Sequence, residues 1–335
     1  MVPALAVAGA LRAEGASVSF VGGERAEAEL VPAAGYELHP IRVEGLHRRN
    51  PLRAARAAVL AAVAVLRSVR LLRSLRAQAV LGGGGYVAGP VGLAAVLLRI
   101  PLVLTEADSH LGISNRLLAP FARRVCLAFP ISGRSGARYR VTGRPVLPPA
   151  SDRAAARARF GLGMDDTVVL VFGGSLGARS INHAAVAAFA EAPYRVLHAA
   201  GVRDFASLEV PGPRYDLRPY IDDFGDALLA CDLVVARSGG SIFEVAAHGR
   251  PAILIPYPAA AADHQTANAR WMADGGAAVV IRDADLTAGR LRHEVDALLA
   301  DPDRLAAMAA ASAALARPDA ARDIASELLA AAAHS

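Results

Sequence analysis

Apolar and polar positions follow two rhythms along this chain. Short unbroken apolar runs recur, such as Val168-Val169-Leu170-Val171-Phe172 and Leu233-Val234-Val235-Ala236. A continuous run of that length marks a strand buried on both faces. Between the runs, apolar residues return at helical spacing and are stopped by glycine or proline. The pattern predicts strands at 17–21, 36–43, 77–81, 101–104, 167–172, 194–198, 233–236, 251–256 and 277–281. It predicts helices at 2–13, 26–34, 52–76, 112–123, 154–160, 242–248 and 263–273, then alanine-rich helix to the end. Strand, turn and helix in repetition specify α/β architecture with open parallel sheets. Such sheets take ligands at the carboxyl ends of their strands.

The stretch from Cys231 to Asn268 is the most informative. A buried strand is followed by the small-residue turn Arg237-Ser238-Gly239-Gly240-Ser241, a helix closed by Gly249 and Pro251, a second strand, and a helix from Asp263. Glu244 falls in the first helical turn, where a carboxylate can accept two hydroxyl hydrogen bonds from a ribose. Gln265 and Asn268, three apart on one helix face, can bond a sugar's hydroxyls. A second such turn, Gly173-Gly174-Ser175-Leu176-Gly177-Ala178, follows the strand at 167–172 and opens a helix at Arg179. Small residues with free N–H groups at a helix start make a phosphate cradle.

These residues resemble the UDP-N-acetylglucosamine transferase family of peptidoglycan synthesis, which glycosylates lipid I to give lipid II. The resemblance covers nearly the whole chain. It implies two doubly wound (Rossmann-like) domains facing a cleft, the GT-B type. They are expected at 1–146 for the acceptor and membrane side and 147–318 for the UDP-sugar, with a terminal helix at 319–335 returning to the first domain. In the family the glutamate holds the ribose, so Glu244 takes that role, with Ser238, Gly239 and Ser241 in its turn. The Gln-x-x-Asn element, here Gln265 and Asn268, faces the N-acetylglucosamine. Gly174, Ser175 and Gly177 face the diphosphate, and the backbone at Ile221, in Tyr220-Ile221-Asp222-Asp223-Phe224, reads the uracil edge. The turn before Glu244 is one residue shorter than is usual in the family.

The first half carries the acceptor elements of that resemblance. Gly82-Gly83-Gly84-Gly85-Tyr86-Val87-Ala88-Gly89-Pro90 matches a family glycine loop on the acceptor side, which implies Gly84, Gly85 and Tyr86. Asp108 stands where the family has a substrate-binding asparagine. Arg144 lies in Thr142-Gly143-Arg144-Pro145-Val146, which matches the family's hinge. The family opens with a strand and a Gly-Gly-Thr-x-Gly-His loop, and this chain begins at what matches the residues after that loop. The expectation is that the strand and the loop's histidine are missing, so that donor binding survives and turnover is weakened. Asp108 and His110 are the catalytic candidates, and the general base stays open.

Other readings compete. Gly83-x-Gly85-x-x-Ala88 is a dinucleotide fingerprint, and Glu106 follows at the distance of about 20 residues expected of a ribose-binding acid. That pattern suits an NAD-dependent oxidoreductase. A non-catalytic remnant that binds UDP-sugar without turnover, and a UDP-N-acetylglucosamine epimerase, remain as well.

Composition narrows the field further. The chain has 335 residues, 54% of them hydrophobic, enough for two cores. The net charge of +5 suits an anionic surface or substrate. Arg53, Arg56, Arg67, Arg70, Arg73 and Arg76 stud the helix at 52–76. That is a solvated face of a core helix or a contact with anionic lipid. The family resemblance favours the latter and implies the cytoplasmic face of the plasma membrane. Its partners would be UDP-N-acetylglucosamine and the undecaprenyl-linked muramoyl-pentapeptide, with no nucleic acid. No cofactor and no metal are expected: Asp283-Ala284-Asp285 reads as loop and helix cap. Two distant cysteines, Cys126 and Cys231, fit a reducing compartment. No signal peptide is read at the start, and the longest apolar run, at 57–66, is well short of the roughly 20 residues a bilayer span needs.

Overall fold

A computed structural model describes residues 1–23, 26–43, 51–260 and 263–333, with side chains described in all of these except 26 and 51–58. The basic segment 46–50 and the side chains of Arg53 and Arg56 lie outside that description. The chain divides into two compact units, Met1–Leu147 with Arg317–Ser335, and Pro148–Ala316.

In the first unit the elements run α1 (Val2–Ala13), β1 (Ser19–Gly22), α2 (Ala26–Ala33), β2 (Glu37–Pro40), α3 (Pro51–Ser74), β3 (Val80–Gly82), α4 (Gly85–Leu97), β4 (Leu102–Glu106), α5 (Ile113–Leu118), β5 (Arg124–Leu127) and β6 (Tyr139–Val141). All pairings are parallel. Among the described residues they form a two-stranded sheet, β1-β2, and a four-stranded one, β3-β4-β5-β6. The helix expected over 112–123 stops at Leu118, and Ala119–Phe121 turns as a 3₁₀ helix. Pro120 is the cause, since it has no N–H to continue the ladder and its ring crowds the preceding turn.

The second unit contains α6 (Arg153–Arg159), β7 (Val168–Phe172), α7 (Arg179–Ala188), β8 (Arg195–Ala199), β9 (Tyr215–Arg218), α8 (Phe224–Ala230), β10 (Leu233–Ala236), α9 (Ile242–Ala247), β11 (Ala252–Leu254), α10 (His264–Asp274), β12 (Ala278–Val280), α11 (Ala288–Leu299) and α12 (Pro302–Leu315). Among the described residues its six strands form one parallel sheet in the order β12-β11-β10-β7-β8-β9. The chain builds outward from β7 to β9, then restarts on the other side of β7 with β10. The strand order therefore reverses between β7 and β10, the position where open α/β sheets leave a crevice. β7 and β10 are wholly buried, as their unbroken apolar runs require.

The last helix, α13 (Ala320–Ala333), packs in the first unit. Its Ile324, Ala325 and Leu328 share a core with Val7 and Leu11 of α1 and with Val103 and Cys126. Glu327 accepts from Arg124 Nε at 2.8 Å and from Arg140 Nη1 at 2.7 Å, which fixes the helix to β5 and β6.

Candidate active site

Each of the neighbouring strands β7 and β10 runs into a glycine turn. After β7, the turn 173–178 leads to α7, with Ser175 exposed and three residues ahead of Ala178, the residue just before the helix, which supplies no side-chain cap. Gly177 adopts φ +81°, and a Cβ there would lie 2.0 Å from the Ala200 carbonyl oxygen. A Cβ on Gly201 would lie 2.1 Å from the Gly177 nitrogen. The turn after β7 and the loop after β8 thus touch backbone to backbone, an approach only glycine permits.

A buried polar network underlies this contact. Asn182 of α7 donates from Nδ2 to Ala200 O at 2.8 Å. Its Oδ1 lies 3.0 Å from His198 Nε2, and the Tyr215 hydroxyl lies 2.7 Å from His198 Nδ1. An amide oxygen can only accept, so Nε2 carries the proton and Nδ1 accepts from the hydroxyl. Burial pushes the His198 pKa down to about 4, in keeping with a neutral ring. The Asp204 carboxyl bonds Arg203 and also receives Asn182 Nδ2 at 3.3 Å, and the bond from Arg203 holds its pKa below the ordinary value.

The turn after β10 is knit to α10. Ser238 Oγ donates to Gln265 O at 2.7 Å, Asn268 Nδ2 donates to Ser238 O at 2.9 Å, and Tyr257 N donates to Gln265 Oε1 at 3.0 Å. A Cβ on Gly239 would sit 3.9 Å from Gln265 Nε2. The turn 238–241, Gln265 and Asn268 therefore form one cluster. Asn268 is buried, and its Oδ1 accepts no hydrogen bond among the described residues. Glu244 is half-buried on α9, whose Ile242, Phe243, Val245 and Ala246 face the core, while Ser241 starts that helix without a side-chain cap. His248 joins the far end of α9 to the start of this unit, with Nδ1 donating to Glu244 O at 2.8 Å and Nε2 accepting from Ala150 N at 3.2 Å. Ile221 is buried just after β9.

The first unit holds a separate cluster. Gly84, just before α4, and Gly85, its first residue, take φ +78° and +77°, and Tyr86 is exposed. Ser114 Oγ donates to Gly85 O at 2.9 Å. Glu106 accepts from Asp108 N at 3.2 Å, Gly112 N at 2.8 Å and Asn115 Nδ2 at 2.9 Å. It thereby shapes the loop that carries Asp108 and His110, both half-buried. Arg144 is half-buried after Gly143.

Two sequence readings are corrected. Both Glu106 oxygens are taken by local donors, so the acid assigned to a dinucleotide ribose beside Gly83–Ala88 already serves as a loop staple. Asp283 and Asp285 do not cap the following helix: the cap of α11 is Thr287, whose side chain accepts from Arg290 N at 3.1 Å.

Comparison with known proteins fits this geometry. Residues 1–127 match the glycosyltransferase family 28 N-terminal domain and residues 168–324 its C-terminal domain. The UDP-N-acetylglucosamine–N-acetylmuramyl-(pentapeptide) pyrophosphoryl-undecaprenol N-acetylglucosamine transferase of Rubrobacter xylanophilus is 43% identical over 331 residues, covering 97% of this chain and 98% of the relative. The chain belongs to this transferase family. The family member from Moorella thermoacetica is 40% identical over 348 residues, covering 95% of this chain and 92% of the relative. The crystal structure of MurG from Acinetobacter baumannii superposes with a TM-score of 0.79 at 29% identity, covering 98% of this chain and 95% of that one. Membership supports a hexosyltransferase with the family's two-domain α/β fold; it lends nothing to the oxidoreductase or epimerase readings.

Proposed function

We propose that this protein transfers N-acetylglucosamine from UDP-N-acetylglucosamine to the undecaprenyl-pyrophosphoryl muramoyl-pentapeptide, making lipid II for the cell wall. The observation that carries the donor half is topological. The turn bearing Ser175 and the turn leading to Glu244 leave hydrogen-bonded neighbours, β7 and β10, where the sheet order reverses. Gly174, Ser175 and Gly177 hold the diphosphate, Glu244 the ribose and the backbone at Ile221 the uracil. Gln265 and Asn268 meet the sugar, and a sugar hydroxyl would give the buried Asn268 Oδ1 its donor. Ser238, Gly239 and Ser241 shape that end.

The acceptor reading rests on the first unit, around Gly84, Gly85, Tyr86, Asp108 and Arg144. The reaction inverts the anomeric carbon in one displacement: the acceptor hydroxyl loses its proton to a base and attacks as UDP departs. Asp108 and His110 are the candidates for that base. The leaving diphosphate is stabilised by backbone N–H groups of the turn before α7.

The acceptor is lipid-linked, which assigns a membrane side to the first unit. No helix among the described residues is long and apolar enough to cross a membrane. On α3, Ala64, Ser68 and Leu72 form the buried seam, while Arg67, Arg70 and Arg73 are exposed together with Val59 and Leu66. That face suits peripheral contact with the anionic cytoplasmic leaflet. Co-sedimentation with phosphatidylglycerol vesicles should fall at least severalfold when all three arginines become glutamine; unchanged binding would reject this contact.

The donor assignment is tested by titrating UDP calorimetrically. A carboxylate accepting two hydroxyls contributes about 3 kcal/mol, so Glu244→Ala should weaken UDP about 100-fold. Equal affinities for the variant and the parent chain would refute the site.

A further inference from the structure

Three polar side chains of the second unit meet where strand ends converge, outside the donor contacts just assigned. Arg237 follows β10 and is 9% exposed. Its Nη1 donates to Ile255 O at 3.1 Å, Pro256 O at 3.2 Å and Asp283 Oδ1 at 2.6 Å. Its Nη2 donates to Ser180 Oγ at 2.8 Å, and Ser180 Oγ donates in turn to the same Asp283 oxygen at 2.7 Å. The triangle is closed. Ile255 and Pro256 follow β11, Asp283 follows β12, and Ser180 lies in the first turn of α7. One guanidinium therefore ties together segments leaving three strands and the helix that begins at the other glycine turn.

We propose that Arg237, Asp283 and Ser180 form a positioning clasp that sets the spacing of the turns 173–178 and 238–241, and through it the affinity for the sugar nucleotide. This rests on the reading that those turns hold the donor. Ser180 is five residues from Ser175, and Arg237 is bonded directly to Ser238, so a shift in the clasp reaches both turns at once. The Pro256 carbonyl extends the frame toward Tyr257, whose N–H holds Gln265. A rigid fork with several fixed donors suits this task better than a flexible ammonium would.

Arg237 could be imagined instead as a cation aimed at the diphosphate. The geometry argues otherwise, because its donors reach inward carbonyls and Asp283 neutralises its charge. The two roles predict opposite signs. Removing the Asp283 charge would strengthen anion binding by a ligating arginine, and would weaken it if the clasp sets geometry.

The experiment compares Asp283→Asn, Ser180→Ala and the double variant with the parent chain. UDP affinity is read by calorimetry, KM and kcat for the donor and acceptor by transfer assay, and melting by circular dichroism. The loss of one charge-assisted hydrogen bond should weaken UDP and raise the donor KM about tenfold in Asp283→Asn, with the acceptor KM unchanged. Ser180→Ala should act in the same direction, and the double variant should bind no more weakly than the worse single, because the residues act as one unit. Tighter UDP binding by Asp283→Asn would overturn the clasp in favour of direct anion contact. Lower melting temperatures with unchanged UDP affinity and donor KM would reduce it to a fold contact. Should Asp283→Asn fail to fold, Ser180→Ala, which removes a single hydroxyl, decides by the same readouts. A parent chain that does not bind UDP would sink the donor-site reading itself, whereas a binding parent with equally binding variants sinks only the clasp.

Discussion

The two units each place a glycine turn between a parallel strand and a helix, yet the turns are built differently. In the second unit the turn after β7 is walled in at Gly173 and Gly177, the latter against the Ala200 carbonyl, with a fully buried His198–Asn182 pair beneath, while Gly174 between them is open. In the first unit the turn after β3 is open: a Cβ on Gly85 would meet nothing within 4 Å, and one on Gly84 would meet only the Asn115 amide, at 3.6 Å. Among the described residues the sheets differ in the same sense, six continuous strands against a two-stranded and a four-stranded piece. A walled turn is preorganised, so little ordering cost opposes ligand binding there. The difference explains why a small, rigid ligand such as a nucleotide diphosphate is assigned to the second unit.

The sharpest way to break this contrast is to fill the walled turn. Gly177→Ala forces a side chain onto positive φ and into a backbone carbonyl. Strain and overlap together should cost about 4 kcal/mol and abolish UDP binding. Urea denaturation and calorimetry on the same preparation would check both. A variant that still binds UDP normally would show that the turn has slack, and that its walls do not matter.

The network beneath the turn gives the second test, by pH. The folded pKa of His198 lies near 4, below the ordinary value of 6.5. Between those values the unfolded chain binds the extra proton and the folded chain does not. Stability is therefore full above about pH 6.5 and is lost as pH falls toward 4, by about 3 kcal/mol for a shift of this size. His198→Gln, which keeps a polar group without a titrating ring, should flatten that part of the stability profile. An equally steep decline in the variant would assign the loss to other groups.

Much of this was legible in the sequence. Unbroken apolar runs located β7 and β10 to within a residue, because strands buried on both faces leave no polar position to blur the pattern. The Ser175 and Glu244 turns were legible because glycine and small residues concentrate there. The interior polar groups were not. His198 sits in an apolar run, which signals a buried partner without naming it, and Asn182 and Tyr215 approach it only through the fold. Arg237, Ser180 and Asp283 lie far apart in sequence and meet only because the ends of β10 and β12 adjoin the start of α7. Glu106 misled for the opposite reason: its spacing after a glycine fingerprint was right, while its oxygens were already committed to the loop 107–112. The short α5 followed from Pro120, a signal present in the sequence and outweighed there by helical spacing.

The mildest test falls on the open turn, and it sharpens the contrast most. Gly84 has φ +78° and ψ −173°, a region open essentially to glycine alone. Gly84→Ala therefore carries a backbone cost, about 2 kcal/mol, but no steric collision comparable to that at Gly177. The local backbone should relax by rotating α4's first turn away from Asn115 and Ser114. If the first unit serves the acceptor, this relaxation should raise the acceptor KM severalfold and leave UDP affinity untouched, since Gly84 and the turns after β7 and β10 belong to different units. Transfer assays at saturating donor, paired with UDP calorimetry, separate the two effects. A change in UDP affinity of similar size would mean that the two turns serve one ligand, and the division of labour between the units would have to be given up.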